Sequence, residues 1–354
     1  MSSAATERPF SFTRRGLIAA GGALALTGFG SRVLAQESTP VATPSAGSKN
    51  GIQPDGTWLF VDDRGIEISL PAAPERVIAD VNVAAALWDF GIRPLGVFGW
   101  NILADGTLNS AGGSVDLSQV EILNSASAIL DLEKAAAINP DLIVTLTFSP
   151  AEPDVLWSIM PEVVDQVNAI APVVAISAIV RADIVADRFA ELSGALGIDL
   201  ESAEITQQQS DFDGAMARFE SLTTEKPGMS AIFVAPGEDA IYIANPDIAS
   251  DVMLFRDLGL DIPTLDVVAG SYWETLSLEQ ALKYPTDIFF YSTRGNIVTP
   301  ELVKGHPTIG QHPAVLADQI GGWNQDVVLS YAGLTVILNG IADVIEASDP
   351  NVVS

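Results

Sequence analysis

No cysteine occurs in the 354 residues, which excludes a disulfide framework, a thiolate nucleophile and any cysteine-ligated metal. Histidine is nearly missing as well. His306 and His312 are the only two, too few for a histidine-rich zinc or copper centre. Basic residues number 17 against 45 acidic ones, a formal charge of -28, and no basic run lies beyond the extreme N-terminus. Nucleic acid is therefore not an expected partner, since neutralising phosphates needs clustered Lys and Arg. Also missing are a Gly-rich phosphate loop, a Gly-x-Ser-x-Gly elbow and a His-Glu-x-x-His motif. No base with an oriented nucleophile is visible, so no catalytic residue, resident metal or cofactor is expected. Hydrophobic residues make up 48% of the chain, which excludes wholesale disorder, and the length suits two domains.

The N-terminus has its own grammar. "SFTRRGLIAAGGALALTGFGSRVLAQ" holds the pair Arg14-Arg15, an apolar stretch from Leu17 to about Gly30, and the small-residue sequence Val33-Leu34-Ala35. The pattern resembles a twin-arginine export signal over residues 1–35, cleaved near Ala35, although Leu17 stands where such signals often carry Phe. The alternative is an N-terminal membrane anchor, for which the apolar stretch is short. A lipid-modified cysteine is excluded. Without residues 1–35 the chain keeps 13 basic and 44 acidic residues. Residues 36–56 are rich in Pro, Ser, Thr and Gly and suggest a flexible tether.

Beyond that, apolar runs alternate with helical patterns. Strands are expected at Val77–Ala79 and Leu95–Phe98, with a helix over Val83–Phe90 that Gly91 and Pro94 terminate. A helix over Leu132–Ile138, closed by Asn139-Pro140, precedes the continuous apolar run "DLIVTLTF", and "APVVAIS" follows as another strand. Two helical stretches, Arg181–Leu196 and Glu201–Leu222, occupy the middle. Strand and helix alternation then resumes through "MSAIFVAP", "SDVMLFRDLGL" and "TLDVV" to a helix over Ala332–Glu346. One pattern occurs twice: "ILDLEKAAAINPDLIV" at Ile129 returns 146 positions later as "TLSLEQALKYPTDIFF" at Thr275. The expected architecture is two Rossmann-like α/β lobes, 57–180 and 225–354, joined through a helical connector at 181–224 whose long helix spans them.

Several segments resemble, in order and spacing, the substrate-binding proteins of ABC importers for iron-siderophores, haem and cobalamin. These are "PERVIADVNVAAALWDFGIRPLGV", "LDLEKAAAINPDLIV", "DIPTLDVVAGSYWETLSLEQALKYPTDIFFYS" and "HPAVLADQIGGWNQDVVL". The resemblance implies a monomeric, exported protein, periplasmic or extracellular. It would hold a ferric siderophore or similar chelate between its lobes and deliver it to an ABC permease dimer with its ATPase subunits. Cobalamin or haem are the alternatives within the family. An exported enzyme using a cleft carboxylate such as Asp80 is the alternative outside it. The resemblance also implies that Glu133 and Glu279, one in each copy of the repeat, dock on permease arginines. Their plain alternative is a charge–dipole contact in the first turn of helices capped by Asp131 and Ser277. Asp141 and Asp287 fit turn chemistry.

Ligands of open α/β sheets bind beyond the carboxyl ends of the strands. That places Asp80, Asn82, Trp100, Asn101 and Phe148 of the first lobe at the cleft. From the second lobe it adds Tyr242, Asn245, Tyr272, Trp273, Tyr291 and Arg294. Trp100, Trp273 and Arg294 lead this set. Arg294 is one of eight arginines after residue 35 and could clamp a ligand carboxylate or catecholate. His306 and His312, each before a proline, are expected to serve turns, not metal. Replacing Arg14 and Arg15 together with Lys is expected to leave precursor in the cytoplasm. Mature protein outside the cell at the normal level, by fractionation and immunoblot, would refute the twin-arginine reading.

Overall fold

The computed structural model describes residues 50–103, 106–294 and 298–353. The expected export signal and residues 36–49 of the expected tether lie outside them. The first described element, β1 (Gly51–Ile52), falls inside the stretch assigned to the tether by composition. It pairs antiparallel with β2 (Trp58–Val61), which pairs with β3 (Glu67–Leu70). Composition misses this small sheet because side-chain hydrogen bonds and one large ring hold it, not a long apolar run. Trp58 is fully buried and donates its indole N–H to the Ala195 carbonyl at 2.7 Å. Asp62 and Asp63 accept from the backbone N–H groups of Ala175 and Ser177, and Arg188 binds Asp63 at 2.7 Å.

The first lobe follows. β4 (Val77–Asp80) leads into α1 (Val81–Asp89), which starts earlier than expected because the Asp80 carboxylate caps it through the Asn82 N–H. Gly91, at φ 94°, turns the chain out of that helix, a conformation that costs glycine little. Next come β5 (Gly96–Phe98), β6 (Glu121–Ile122), α2 (Leu132–Ile138), β7 (Leu142–Thr147), α3 (Val164–Ile170) and β8 (Val173–Ser177). The strands form one parallel sheet in the order β6-β5-β4-β7-β8. Every residue of β4, β5, β7 and β8 is buried, as a parallel sheet covered on both faces requires.

α4 (Ala182–Ala195) and α5 (Ala203–Glu225) connect this lobe to the next. The second lobe holds β9 (Ala231–Pro236), β10 (Ala240–Ala244), α6 (Ser250–Asp257), β11 (Trp273–Ser277), β12 (Ile288–Ser292), α7 (Pro300–Gly305), α8 (Pro313–Leu316), β13 (Ile320–Trp323) and α9 (Tyr331–Ala347). Its sheet order is β11-β10-β9-β12-β13, parallel from β9 to β13 and antiparallel at β10 and β11. The expected strand "TLDVV" does not form: residues 264–268 are irregular. β11 forms that edge of the sheet and pairs antiparallel with β10 after the chain has passed through α6.

α5, 23 residues and about 34 Å long at 1.5 Å per residue, spans the two lobes. Near its start Gln208 donates to the Asp89 carbonyl at the end of α1. Further along, Phe212 stacks on Tyr331, and Arg218 reaches Asp343 (2.7 Å) and Glu346 (2.6 Å) on α9. Thr223 donates to the Leu258 carbonyl after α6. The lobes also touch directly where Asp89 accepts from Ser330, and Tyr331 donates to Asp187 of the connecting helix α4.

The repeated sequence occupies equivalent ground. β7 and β12 are each fourth in their sheets, and the repeat leads into both. Asp141 accepts from the backbone N–H groups of Glu75 and Arg76, just before β4. Asp287 accepts from the N–H and hydroxyl of Ser230, just before β9, and from the N–H groups of Val352 and Val353. Both aspartates thus tie the third strand of their sheet to the fourth. The copies differ in helix length. α2 runs seven residues, but Leu278–Gln280 is a single tight turn. Pro285 stands one place earlier in its copy than Pro140, and the residue before a proline avoids helical geometry. Asp287 is buried whereas Asp141 is half-buried. Asp287→Ala is therefore expected to cost about 2–4 kcal/mol and Asp141→Ala less, since unmade bonds to buried groups cost most. Urea denaturation checks this; equal losses would contradict it.

Candidate functional site

The carboxyl edges of the two sheets face each other, and aromatic rings line the meeting ground. Trp100 follows β5. Its approach is set by Gly99, at φ 121°, whose backbone N–H and carbonyl are both bound by the Asn124 side-chain amide (2.8 and 2.9 Å). A Cβ on Gly99 would stand 2.5 Å from an oxygen of Asp80, so this position admits glycine alone. Phe148 follows β7. The chain then doubles back, and Trp157 donates its backbone N–H to the Leu146 carbonyl (2.9 Å). Trp157 meets both Trp100 (5.9 Å between ring centres, edge-on) and Phe148 (5.0 Å).

The second lobe supplies the opposite wall. Trp273 sits edge-on to Tyr272 (4.8 Å), Tyr242 (6.4 Å) and Trp323 (6.2 Å). Trp323 ends β13 and donates its indole N–H to the buried Asp251 carboxylate (2.7 Å). Such edge-to-face sets stiffen one another beyond their buried area.

Arg294 bridges the walls. It follows β12 in the second lobe, and its guanidinium lies 4.5 Å above the Trp100 ring of the first. Its fork is already engaged. Nε donates to Asp326 at 2.8 Å and Nη2 to the other oxygen of that carboxylate, which is 4% exposed. The Gln325 side-chain amide also lies beside the guanidinium, and with its oxygen turned towards Arg294 it accepts from Nη1 at 3.0 Å.

Below the rings lie buried polar groups. Burial pushes the Asp80 carboxyl up to about 7 and that of Asp251 to about 6. Tyr272 is raised well above its ordinary value, first by burial and then by Asp251 and Asp326. Asn101 donates to Asn82 at 2.6 Å and accepts from Asn109, which fixes the amide orientations in the first lobe.

Among the expected site residues, the structure brings Trp100, Phe148 and Arg294 together at the lobe boundary, with Tyr242, Tyr272 and Trp273 as one cluster opposite. Asn82 and Asn101 belong to the amide chain beside them. Tyr291 is a correction: it is buried in β12 within the outer apolar core of the second lobe. Asn245 is another, since it braces a turn through Ser271 and Asp247. Both lapses follow from assuming each strand to be parallel and fully traversed before its binding residue. The histidines do serve turns. His312 accepts from the Ala314 N–H and donates to the Tyr284 carbonyl, and burial lowers its basicity. His306 accepts from Thr308 and Ile309. Among the described residues no cluster of His, Asp or Glu is built to hold a metal. Trp157, Trp323, Asp251, Gln325 and Asp326 escaped the sequence reading. "GGWNQD" carried a signal for three of them, a Trp and an acid at the end of an apolar run.

Two shallow surface hollows, about 350 and 280 Å³, lie elsewhere: one beside β3 and the start of β8, one at the amino ends of β9 and β12. No aromatic residue lines either, whereas rings from both lobes meet at their boundary, the candidate site.

The model of a family described as periplasmic binding protein matches residues 120–327, more than half of the chain. This chain belongs to that family. Among solved structures, DesE, a ferric-siderophore receptor protein from Streptomyces coelicolor, is 32% identical, with 83% of this chain and 99% of DesE covered and a TM-score of 0.75. The siderophore periplasmic binding protein of the fuscachelin gene cluster of Thermobifida fusca is 19% identical over 78% of this chain and 98% of its own, TM-score 0.59. Streptococcus pneumoniae PiaA in complex with ferrichrome is 18% identical over 82% and 99%, TM-score 0.54. The last two speak for the fold alone. No curated protein sequence matches the chain.

For this periplasmic binding protein the raised carboxyls have a measurable consequence. In the fold Asp80 keeps its proton up to about 7, whereas an unfolded chain releases it near 3.9. Between those values the native state binds more protons, so stability falls as pH rises, by at most about 1.4 kcal/mol per pH unit. Asp80→Asn removes this dependence. The stability gap between variant and parent, from urea unfolding at pH 5 and pH 8, is expected to shift towards the variant at pH 8; a constant gap would contradict it.

Proposed function

We propose that the chain is the solute-binding component of an ABC importer and that it captures a ferric siderophore between its lobes. The observation that carries this reading is the aromatic cleft at the carboxyl edges, in a chain 32% identical to a ferric-siderophore receptor protein. A siderophore encloses its iron in its own donor atoms, so the protein need supply only shape, flat apolar surface and a few polar contacts. That demand matches a wall of aromatic rings. Binding without turnover is the activity inferred, by a monomer exported through the twin-arginine route and acting outside the cytoplasmic membrane.

Trp100, Trp273 and Arg294 are the proposed principal contacts, with Phe148, Tyr242 and Tyr272 as walls and Asn82 and Asn101 as polar support. Ferric siderophores are expected to quench tryptophan fluorescence on titration. Trp100→Ala is expected to raise Kd by about tenfold or more, the loss of a stacked ring being worth roughly 1–3 kcal/mol. Failure of every ferric chelate tested to bind would end the proposal.

Glu133 and Glu279 are the proposed permease contacts. Both are exposed, and neither adjoins the aromatic cleft in sequence. Ser277 and Gln280 form a reciprocal cap around a three-residue turn, too short to carry much dipole, which weakens the charge–dipole alternative for Glu279. A Glu133→Arg, Glu279→Arg protein is expected to keep its melting temperature and ligand affinity, since exposed substitutions usually change stability by under about 0.5 kcal/mol. Uptake through the cognate permease should fall severalfold. Normal uptake would remove both glutamates from the docking surface.

A further inference from the structure

The charge of the cleft restricts which ferric chelate it can hold. Arg294 is the only cation found over a ring of the cluster among the described residues, and Asp326 neutralises it with both oxygens. Every other described Arg and Lys is engaged with carboxylates or backbone carbonyls. At the carboxyl edge of the first sheet Lys134 donates to the Asn124 carbonyl at 2.7 Å and Arg181, just beyond β8, pairs with Asp183 and Asp257; neither sits over a ring of the cluster. On the acidic side, Asp251 and Asp80 lie buried beneath the two walls. The charged groups in contact with the rings, Arg294 with Asp326 and the buried Asp251, sum to zero or below, within a molecule whose formal charge is -28.

A ligand entering here loses water. An anion doing so pays a desolvation cost that only a nearby positive charge recovers, and the overall field of the protein opposes its approach. Aromatic faces add to this bias, because their negative quadrupole attracts cations and not anions. The indole N–H groups of Trp100 and Trp157 are buried and meet no acceptor among the described residues. Neutral donors of that kind suit carbonyl and hydroxamate oxygens. Siderophore chemistry offers a clear contrast. Three hydroxamates, each singly charged, cancel the charge of Fe(III), whereas three catecholates leave three negative charges on the complex.

Resting on the ferric-siderophore reading, we infer that the cleft takes uncharged or cationic ferric chelates of the trihydroxamate class and excludes triply anionic tris-catecholates, with Asp326 the residue that sets this preference by neutralising Arg294. The test uses the mature protein and its Asp326→Asn variant at fixed ionic strength. Three probes are titrated by tryptophan quenching: ferrichrome (cyclic, uncharged), ferrioxamine B (linear, cationic) and ferric enterobactin (a tris-catecholate). At least one trihydroxamate is expected to bind about 100-fold or more tightly than ferric enterobactin. Asp326→Asn, by freeing the guanidinium charge, is expected to shift the ratio of the ferrichrome to the ferric enterobactin affinity by about tenfold or more towards ferric enterobactin. Ferric enterobactin binding the parent as tightly as the better trihydroxamate would overturn the inference and leave the siderophore reading standing. So would an Asp326→Asn protein whose ratio of ferrichrome to ferric enterobactin affinity matches the parent's. If none of the three binds, the siderophore reading fails and the inference with it.

Discussion

The carboxyl edges of the two sheets must face each other at a fixed spacing, and α5 sets that constraint. It is anchored at one end to α1 through Gln208 and along the rest of its length to α9 through Phe212, Arg218 and Lys226. A helix stretches little, because each turn is closed by its own hydrogen bonds. Relative motion of the lobes is thereby limited to bending and small sliding of packed helices. Asp89, Ser330 and Tyr331 reinforce the joint from within. The aromatic walls depend on it, since each would face open water without the other.

Given that spacing, Arg294 crosses the boundary at the aromatic rings. Arg294 is held by Asp326 and lies on Trp100, so the first and second lobes are in contact through a stacked cation whose charge is already balanced. A balanced pair of this kind orients a flat group without presenting net charge. Composition alone suggests the opposite, a scarce arginine waiting for an anion. The partner that changes its meaning stands 32 positions later, in the loop after the neighbouring strand β13.

Much of the fold was legible because continuous apolar runs and capping residues are local signals. β4, β7, β8 and α2 fall within a few residues of expectation, and the repeat pointed to two lobes of like construction. The small sheet β1-β2-β3 was not legible, because Trp58, Asp62 and Asp63 find their partners more than a hundred positions away. The antiparallel edge of β10 and β11 was hidden for a different reason: in "TLSLEQALKYP" the helical pattern of the first copy persists in sequence, but Thr275, Leu276 and Ser277 pair with β10 and only a three-residue turn follows. At the site, rings and Arg294 were visible as residue types at strand ends. Trp157 was not, because its place at the boundary depends on the chain folding back along β7.

The account stands on the aromatic boundary between the lobes being where the iron chelate sits. Crystals grown with ferrichrome or ferrioxamine B and measured at the iron absorption edge test this most directly. One anomalous peak is predicted, between Trp100 and Trp273, with all iron donors supplied by the chelator. A peak in either outer hollow, or iron ligated by side chains of the protein, would contradict the account.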